Sequence, residues 1–362
     1  MSFLVSGKVS LTESVKIYQV LTPEGDVVAE LPDLPPEKLL EFYRWMIYGR
    51  LFSDRMVALQ RQGRMGTFAP LNGQEATNIG IAAPLQPEDW LVGSYREALA
   101  YQVKGVPVIG MMQRWGGQVS SDIPREVNCF PVQIILATQM LHAVGIAQAI
   151  KYEKKPHVVV AVCGDGATSE GDFNEALNFA GVFKAPVIFV VQNNGWAIST
   201  PRQHQTAAEY IADRGPAFGL PSFVVDGNDL LAVYKLMSDC IERARAGEGP
   251  ALVEAITYRL AAHTTADDPT KYRSKAELDE WLEQDPLIRF RRFLLDRQML
   301  TDAKDEELHE SVKAAIQADI AAYEALPEED PARLFDLVYA QQPPQLQRQK
   351  AQLLRDLGLD DK

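Results

Sequence analysis

From Glu37 the chain repeats apolar residues at helical spacing. In EKLLEFYRWMIYGRLFSDRMVALQRQGR, Leu40, Tyr43, Ile47 and Leu51 fall three or four residues apart, so one face of a long helix is apolar and must be packed. Residues 1–35 ahead of it read as a polar arm that closes on the prolines of LPDLPP, a helix start signal. Shorter helical patterns follow near residues 74–83 and 96–114. PVQIILATQMLHAVGIAQAIK reads as a further helix; its Ala137, Ala143, Gly145 and Ala149 permit close approach, which places it in the interior or at a subunit interface.

The rhythm then changes. HVVVAVC, APVIFVVQ, SFVVDG and PALVEAITYR are short apolar runs without alternation, and SEGDFNEALNFAGVFK and LAVYKLMSDCIERARAG are helical patterns between them. Strands apolar on both sides and separated by helices predict an α/β fold: a parallel sheet with helices on both faces, extended by helices at the N- and C-terminal ends. Past residue 275 the chain is helical and charged, as in DAKDEELHESVKAAIQADIAAYEAL. With no repeat and no long linker, one domain over residues 36–345 is expected, between the arm (1–35) and a short tail (346–362).

Composition narrows the partners. The 362 residues carry a formal charge of -13, which argues against nucleic acid or an anionic membrane. Three cysteines with no CxxC pair suggest neither a disulfide framework nor a zinc site. No run approaches the roughly 18 apolar residues of a membrane span, and the N-terminus lacks the layout of a signal peptide. A cytoplasmic protein is the expectation.

The chemistry concentrates where an apolar strand meets GDG, with Asp165 between Gly164 and Gly166. Ligands of open parallel sheets bind beyond the carboxyl ends of the strands, and Asn193 and Asn194 stand at the end of the next strand. If those strands are neighbours, about 4.8 Å apart, an Asp and an Asn oxygen can reach one small cation. Magnesium would take its remaining ligands from water, a carbonyl and phosphate, so the pair implies a phosphate-bearing ligand. The following helix would offer N-terminal amides to an anion. A nicotinamide fingerprint fits less well, because Ser169 stands where the third glycine is needed, and no GK[ST] phosphate loop occurs.

GDGATSEGDFNEALNFAGVFKAPVIFVVQNNGWAIST resembles the thiamine diphosphate motif, which runs from GDG to a paired Asn. RQGRMGTFAPLNGQEA, GSYREA, VDGNDLLAVY and YRLAAHTTADDPTKYRS extend the likeness to the alpha subunit of the decarboxylating first component of 2-oxo acid dehydrogenase complexes, over roughly residues 37–345. That resemblance implies the thiamine diphosphate-binding fold, with Asp165, Asn194 and the carbonyl of Trp196 on Mg2+. It puts Tyr95 and Arg96 on the diphosphate, the Leu136 backbone on the aminopyrimidine ring, and Gly164, Gly166 and Ala167 along the cofactor.

Five histidines compete for acid–base work. His142, His157, His204 and His309 read as structural or solvated. His263 ends the strand read over ALVEAITYRLAAH, opens a polar loop and matches the family's active-site histidine, at once cofactor-binding and catalytic; Tyr272 and Arg273 match a loop pair that closes over the cofactor. The resemblance implies decarboxylation of a 2-oxo acid and acyl transfer to lipoyl. Because the family places the glutamate that activates the cofactor on another kind of domain, it also implies a beta subunit completing the site in an assembly of two alpha and two beta chains, around a lipoylated acyltransferase core. Pyruvate is favoured over branched-chain acids on SDIPREVNCFP, although NNGWAISTP and VDGND resemble branched-chain enzymes. The rivals are the cofactor-binding half of a split transketolase and a non-catalytic assembly subunit.

Overall fold

The computed structural model describes residues 17–118 and 123–359. Among them are seven strands: β1 (Trp90–Val92), β2 (Val159–Gly164), β3 (Val187–Asn193), β4 (Trp196–Ala197), β5 (Thr200–Pro201), β6 (Ser222–Asp226) and β7 (Ala251–Ile256). Five form one sheet in the order β1-β2-β3-β7-β6 with every pairing parallel, while β4 and β5 make a separate antiparallel hairpin.

The absence of alternation in the strands has a direct cause, since both faces of the sheet are buried. Val160, Val162, Ile188 and Val190 point into one core, and Val159, Ala161, Val187 and Phe189 into the other. Helices Pro36–Arg61, Glu75–Ala82 and Leu230–Arg245 contribute to the first core; Thr138–Tyr152 and Gly171–Phe183 contribute to the second. Each such side chain gains about 1.5–3 kcal/mol from burial, which outweighs weak local propensities. Helix Leu230–Arg245 starts at Asp229, whose Oδ1 accepts from the N–H groups of Leu231 and Ala232. Its last turn carries Arg245, paired with Asp89 through two N–H groups at 3.1 and 2.8 Å. Helix Asp302–Glu324 lies on the first helix, where Tyr43 donates to Asp305 and Tyr48 to Asp319, both at 2.8 Å. No helix among the described residues is long and apolar enough to cross a membrane.

Four local expectations are corrected. The described end of the polar arm is built into the fold: Tyr18 bridges Val225 on β6, and Val20 and Leu21 are buried with their N–H groups on Asp229 Oδ2. The helix expected from Pro131 begins only at Thr138, after Ala137 at φ 63, and Ile134, Ile135 and Leu136 are exposed. Asp165 enters a five-residue 3-10 turn, Asp165–Ser169, so the helix expected from Ser169 starts two residues later, at Gly171. The strand leading to His263 stops at Ile256, seven residues earlier, and β1 adds an edge strand that the hydrophobic pattern had not signalled.

Candidate functional site

The carboxyl ends of β1, β2, β3 and β7 supply the wall of one cavity of about 410 Å³, within the range of small-molecule sites. Past β1 come Ser94 to Glu97, past β2 Asp165 to Ala167, past β3 Asn194 to Ile198, and past β7 His263 and Thr264. The run from Thr257 to His263 continues β7 without strand pairing: Thr257 donates to the Asn193 carbonyl at 2.9 Å, and Leu260 to that of Asn72 at 3.1 Å. This extension carries His263 to the same edge as Asp165.

The β2 and β3 tips are in contact. Gln205 Nε2 donates to Asp165 Oδ2 at 2.9 Å, and the backbone N–H groups of Asp165 and Asn194 near the carboxylate favour its charged form. Burial nevertheless pushes the Asp165 carboxyl above its usual range. The paired asparagines divide their work. Asn193 donates to the buried Glu254 at 2.7 Å and accepts from the N–H of Gly195, which sits at φ +85, so it shapes the turn. Asn194 and Trp196 then line the cavity, with Trp196 N–H on Asn194 Oδ1 at 3.3 Å. At Gly166 an added Cβ would stand 2.7 Å from Ala197 Cβ, whereas at Gly164 it would meet nothing within 4 Å.

The facing wall is cationic. Arg96, 5% exposed, donates to the carbonyls of Pro70 and His263 and lies 3.2 Å from His263 Nδ1. Arg259, fully buried, lies 3.4 Å from the same nitrogen and donates to the carbonyls of Trp196 (3.2 Å) and Ile198 (2.7 Å) and to Tyr272 Oη (2.8 Å). Burial moves both guanidinium pKa values down, that of Arg96 to about 10. Burial and the two cations push His263 down to about 4, so its imidazole is neutral near pH 7. With Nδ1 facing two obligate donors, the ring proton belongs on Nε2. Glu97 accepts from Gln192 at 2.6 Å and from Ser94 N–H at 2.7 Å, and burial raises it to about 7.

Of the residues singled out from sequence, Tyr95, Arg96, Leu136, Gly164, Asp165, Gly166, Ala167, Asn194, Trp196 and His263 share this cavity. Tyr272 and Arg273 stand outside its lining. Tyr272 donates to Asp267 at 2.5 Å and packs on Trp196, and Arg273 donates to the carbonyls of Arg259 and Leu260. Asp267 in turn accepts the His263 N–H at 2.7 Å, so the pair braces the loop that carries the histidine. Arg259, Glu97, Gln205 and Glu277 were not singled out. Arg259 lies inside a quoted motif, but an arginine after a strand carries no mark of burial.

Residues 43–332 match the family described as the dehydrogenase E1 component. The chain belongs to that family. It is 43% identical over 349 residues, 95% of each chain, to the 3-methyl-2-oxobutanoate dehydrogenase subunit alpha of Mycobacterium tuberculosis. It is 40% identical over 338 residues, 92% of this chain and 91% of the other, to the pyruvate dehydrogenase E1 component subunit alpha of Staphylococcus aureus. These near-equal identities do not separate pyruvate from branched-chain acids. The dehydrogenase E1 family works with thiamine diphosphate, and the cavity fits such a group. Two buried guanidinium groups have no carboxylate within ion-pair distance among the described residues, and the Asp165 carboxylate opposite has no cation there. An anionic tail held through a divalent ion satisfies both walls together. Gln74 Nε2, Arg259 Nε and Gln205 Oε1 are buried polar atoms without a partner among the described residues.

Proposed function

We propose that the chain is the alpha subunit of a 2-oxo acid dehydrogenase and holds Mg2+ and thiamine diphosphate between the two walls of this cavity. The observation that carries the reading is the contact of the β2 and β3 tips, which sets the Asp165 carboxylate against the Asn194 N–H opposite unpaired, buried Arg96. Asp165, Asn194 and the Trp196 carbonyl are assigned to the ion, a donor set with the single carboxylate that suits magnesium. Tyr95 and Arg96 are assigned to the diphosphate, where a guanidinium fork matches phosphate oxygens, and the Leu136 backbone to the ring end.

When bound, thiamine diphosphate supplies the electron sink that lets a 2-oxo acid lose carbon dioxide. The chain's part is to bind, orient and donate. Neutral His263 offers Nε2–H as donor to the substrate carboxylate or to an oxygen gaining charge during acyl transfer. Its orientation is fixed through Nδ1 by Arg96 and Arg259 and through its N–H by Asp267. Tyr272 and Arg273 act by holding that loop.

The cavity is bordered by Ile134, Leu136 and Ile198, which are 69%, 41% and 57% exposed. Exposed apolar residues around a polar site mark a surface meant to be covered. A beta subunit is assigned to this place, as the word alpha in the relatives' names implies, with a lipoylated acyltransferase receiving the acyl group on its disulfide. The test is calorimetry of thiamine diphosphate on the co-expressed alpha–beta complex with and without Mg2+, followed by carbon dioxide release from pyruvate and from 3-methyl-2-oxobutanoate. Metal-dependent binding and turnover of one of the two acids are expected; binding indifferent to metal overturns the assignment.

A further inference from the structure

Gln205 closes the turn after the β4–β5 hairpin, its N–H on the Arg202 carbonyl at 2.9 Å. Its side chain reaches back to Asp165, forty residues earlier, with Nε2 at 2.9 Å from Oδ2 and 3.4 Å from the Thr200 carbonyl. Both contacts are acceptors, which fixes the amide orientation on chemical grounds: an ionised carboxylate and a carbonyl take only donors. Oε1 must therefore point the other way. It lies 3.8 Å from where a Cβ on Gly166 would be, beside a residue of the cavity wall, and it is buried without a partner among the described residues.

A buried acceptor left unpaired costs about 1–3 kcal/mol, so a small donor such as a water beside the Gly166 turn would stabilise it. Asp165 meanwhile has Oδ2 engaged by a neutral donor, which orients the carboxylate without neutralising it. Outer partners of this kind hold a metal-binding carboxylate in one rotamer and leave its other oxygen available.

We propose that Gln205 is the positioning residue of the cation site, holding the Asp165 carboxylate in one orientation through Nε2. This rests on the reading that Asp165 binds the ion, and it goes beyond that reading by naming a residue that makes the carboxylate selective in orientation. Gln205 touches neither substrate nor cofactor and acts through Asp165.

The test uses the alpha–beta complex with thiamine diphosphate and Mn2+ as the probe ion, followed by electron paramagnetic resonance. Gln205→Met keeps the length and removes the amide; Gln205→Asn keeps the amide and withdraws it from reach. Both are expected to raise the Mn2+ Kd by about 10–100-fold, while kcat at saturating metal stays within about twofold. A folded Gln205→Met or Gln205→Asn complex that binds Mn2+ as wild type does, or that loses kcat at saturation with an unaltered Kd, overturns the proposal alone. A wild-type complex that binds no Mn2+ overturns the cation reading and the role of Gln205 with it.

Discussion

The two glycines around Asp165 should respond oppositely to the same one-carbon change. In Gly166→Ala the new methyl would stand 2.7 Å from Ala197 Cβ, against 3.4–4 Å for ordinary contact, so the β4 hairpin must shift. Overpacking of this kind costs about 1–3 kcal/mol. At about 2.1 cal/mol/K of unfolding entropy per residue, that corresponds to a drop of roughly 1–4 °C for a chain of this length. In Gly164→Ala the methyl meets no atom within 4 Å and projects from a residue that lines the cavity. The fold should be indifferent. The cost falls on the close approach of an anionic ligand, with Kd for thiamine diphosphate rising about 10-fold or more, equivalent to about 1.4 kcal/mol. Scanning fluorimetry of the cofactor-free complex and calorimetry with cofactor and Mg2+ separate the two. The reasoning is refuted if Gly164→Ala melts as low as Gly166→Ala, or if it binds cofactor as tightly as wild type.

Three further outcomes follow from the geometry. His263, with its pKa pushed to about 4 by burial, Arg96 and Arg259, lies below its unfolded value of about 6.5; the stability it contributes is complete above that value and is lost as the pH falls toward 4. The signal of 13C-labelled His263 should stay flat between about pH 6 and 8 and move toward the usual midpoint in Arg259→Met; a midpoint above about 6 in wild type contradicts this. Asp89→Asn weakens a part-buried pair with Arg245 and the acceptors for the N–H groups of Gln86 and Val158, so urea denaturation should show a loss of about 1–3 kcal/mol, with cofactor affinity of the folded complex unchanged; a loss under about 0.5 kcal/mol would exclude it. Glu277 Oε1 accepts from Trp196 Nε1 at 2.9 Å and Tyr258 Oη at 2.8 Å; Glu277→Gln keeps an acceptor and should bind Mg2+ normally, whereas Glu277→Leu should bind it about 10-fold more weakly, and equal behaviour of the two would count against this anchoring.

The sheet was readable because burial on both faces leaves a compositional trace: β2 and β3 are unbroken apolar runs, and a carboxylate or amide at their ends stands out. Asp165 and Asn194 were found that way. β1 was not, because Trp90–Val92 is too short to show any period. The run Ile134–Leu136 has the apolarity of a helix start, yet it faces outward by the cavity, where apolar character serves a surface. His263 was tied to the right sheet edge by the wrong element, since the seven residues that carry it there are extended chain bonded to Asn72 and Asn193. Arg259 and Gln205 owe their importance to contacts 61 and 40 positions away along the chain, which no local spacing encodes.

Neither margin of the five-stranded sheet is open. Tyr18 bridges Val225 of β6 on one side, and Cys129 bridges Leu91 of β1 on the other. Strand-by-strand recruitment of another polypeptide, the route to fibrils and to β-augmented complexes, is thereby closed at both flanks. Association must proceed through side chains on helices and around the cavity mouth, so an isolated subunit with Phe179, Val182 and Phe183 in solvent should form amorphous, detergent-dispersible aggregates instead of amyloid.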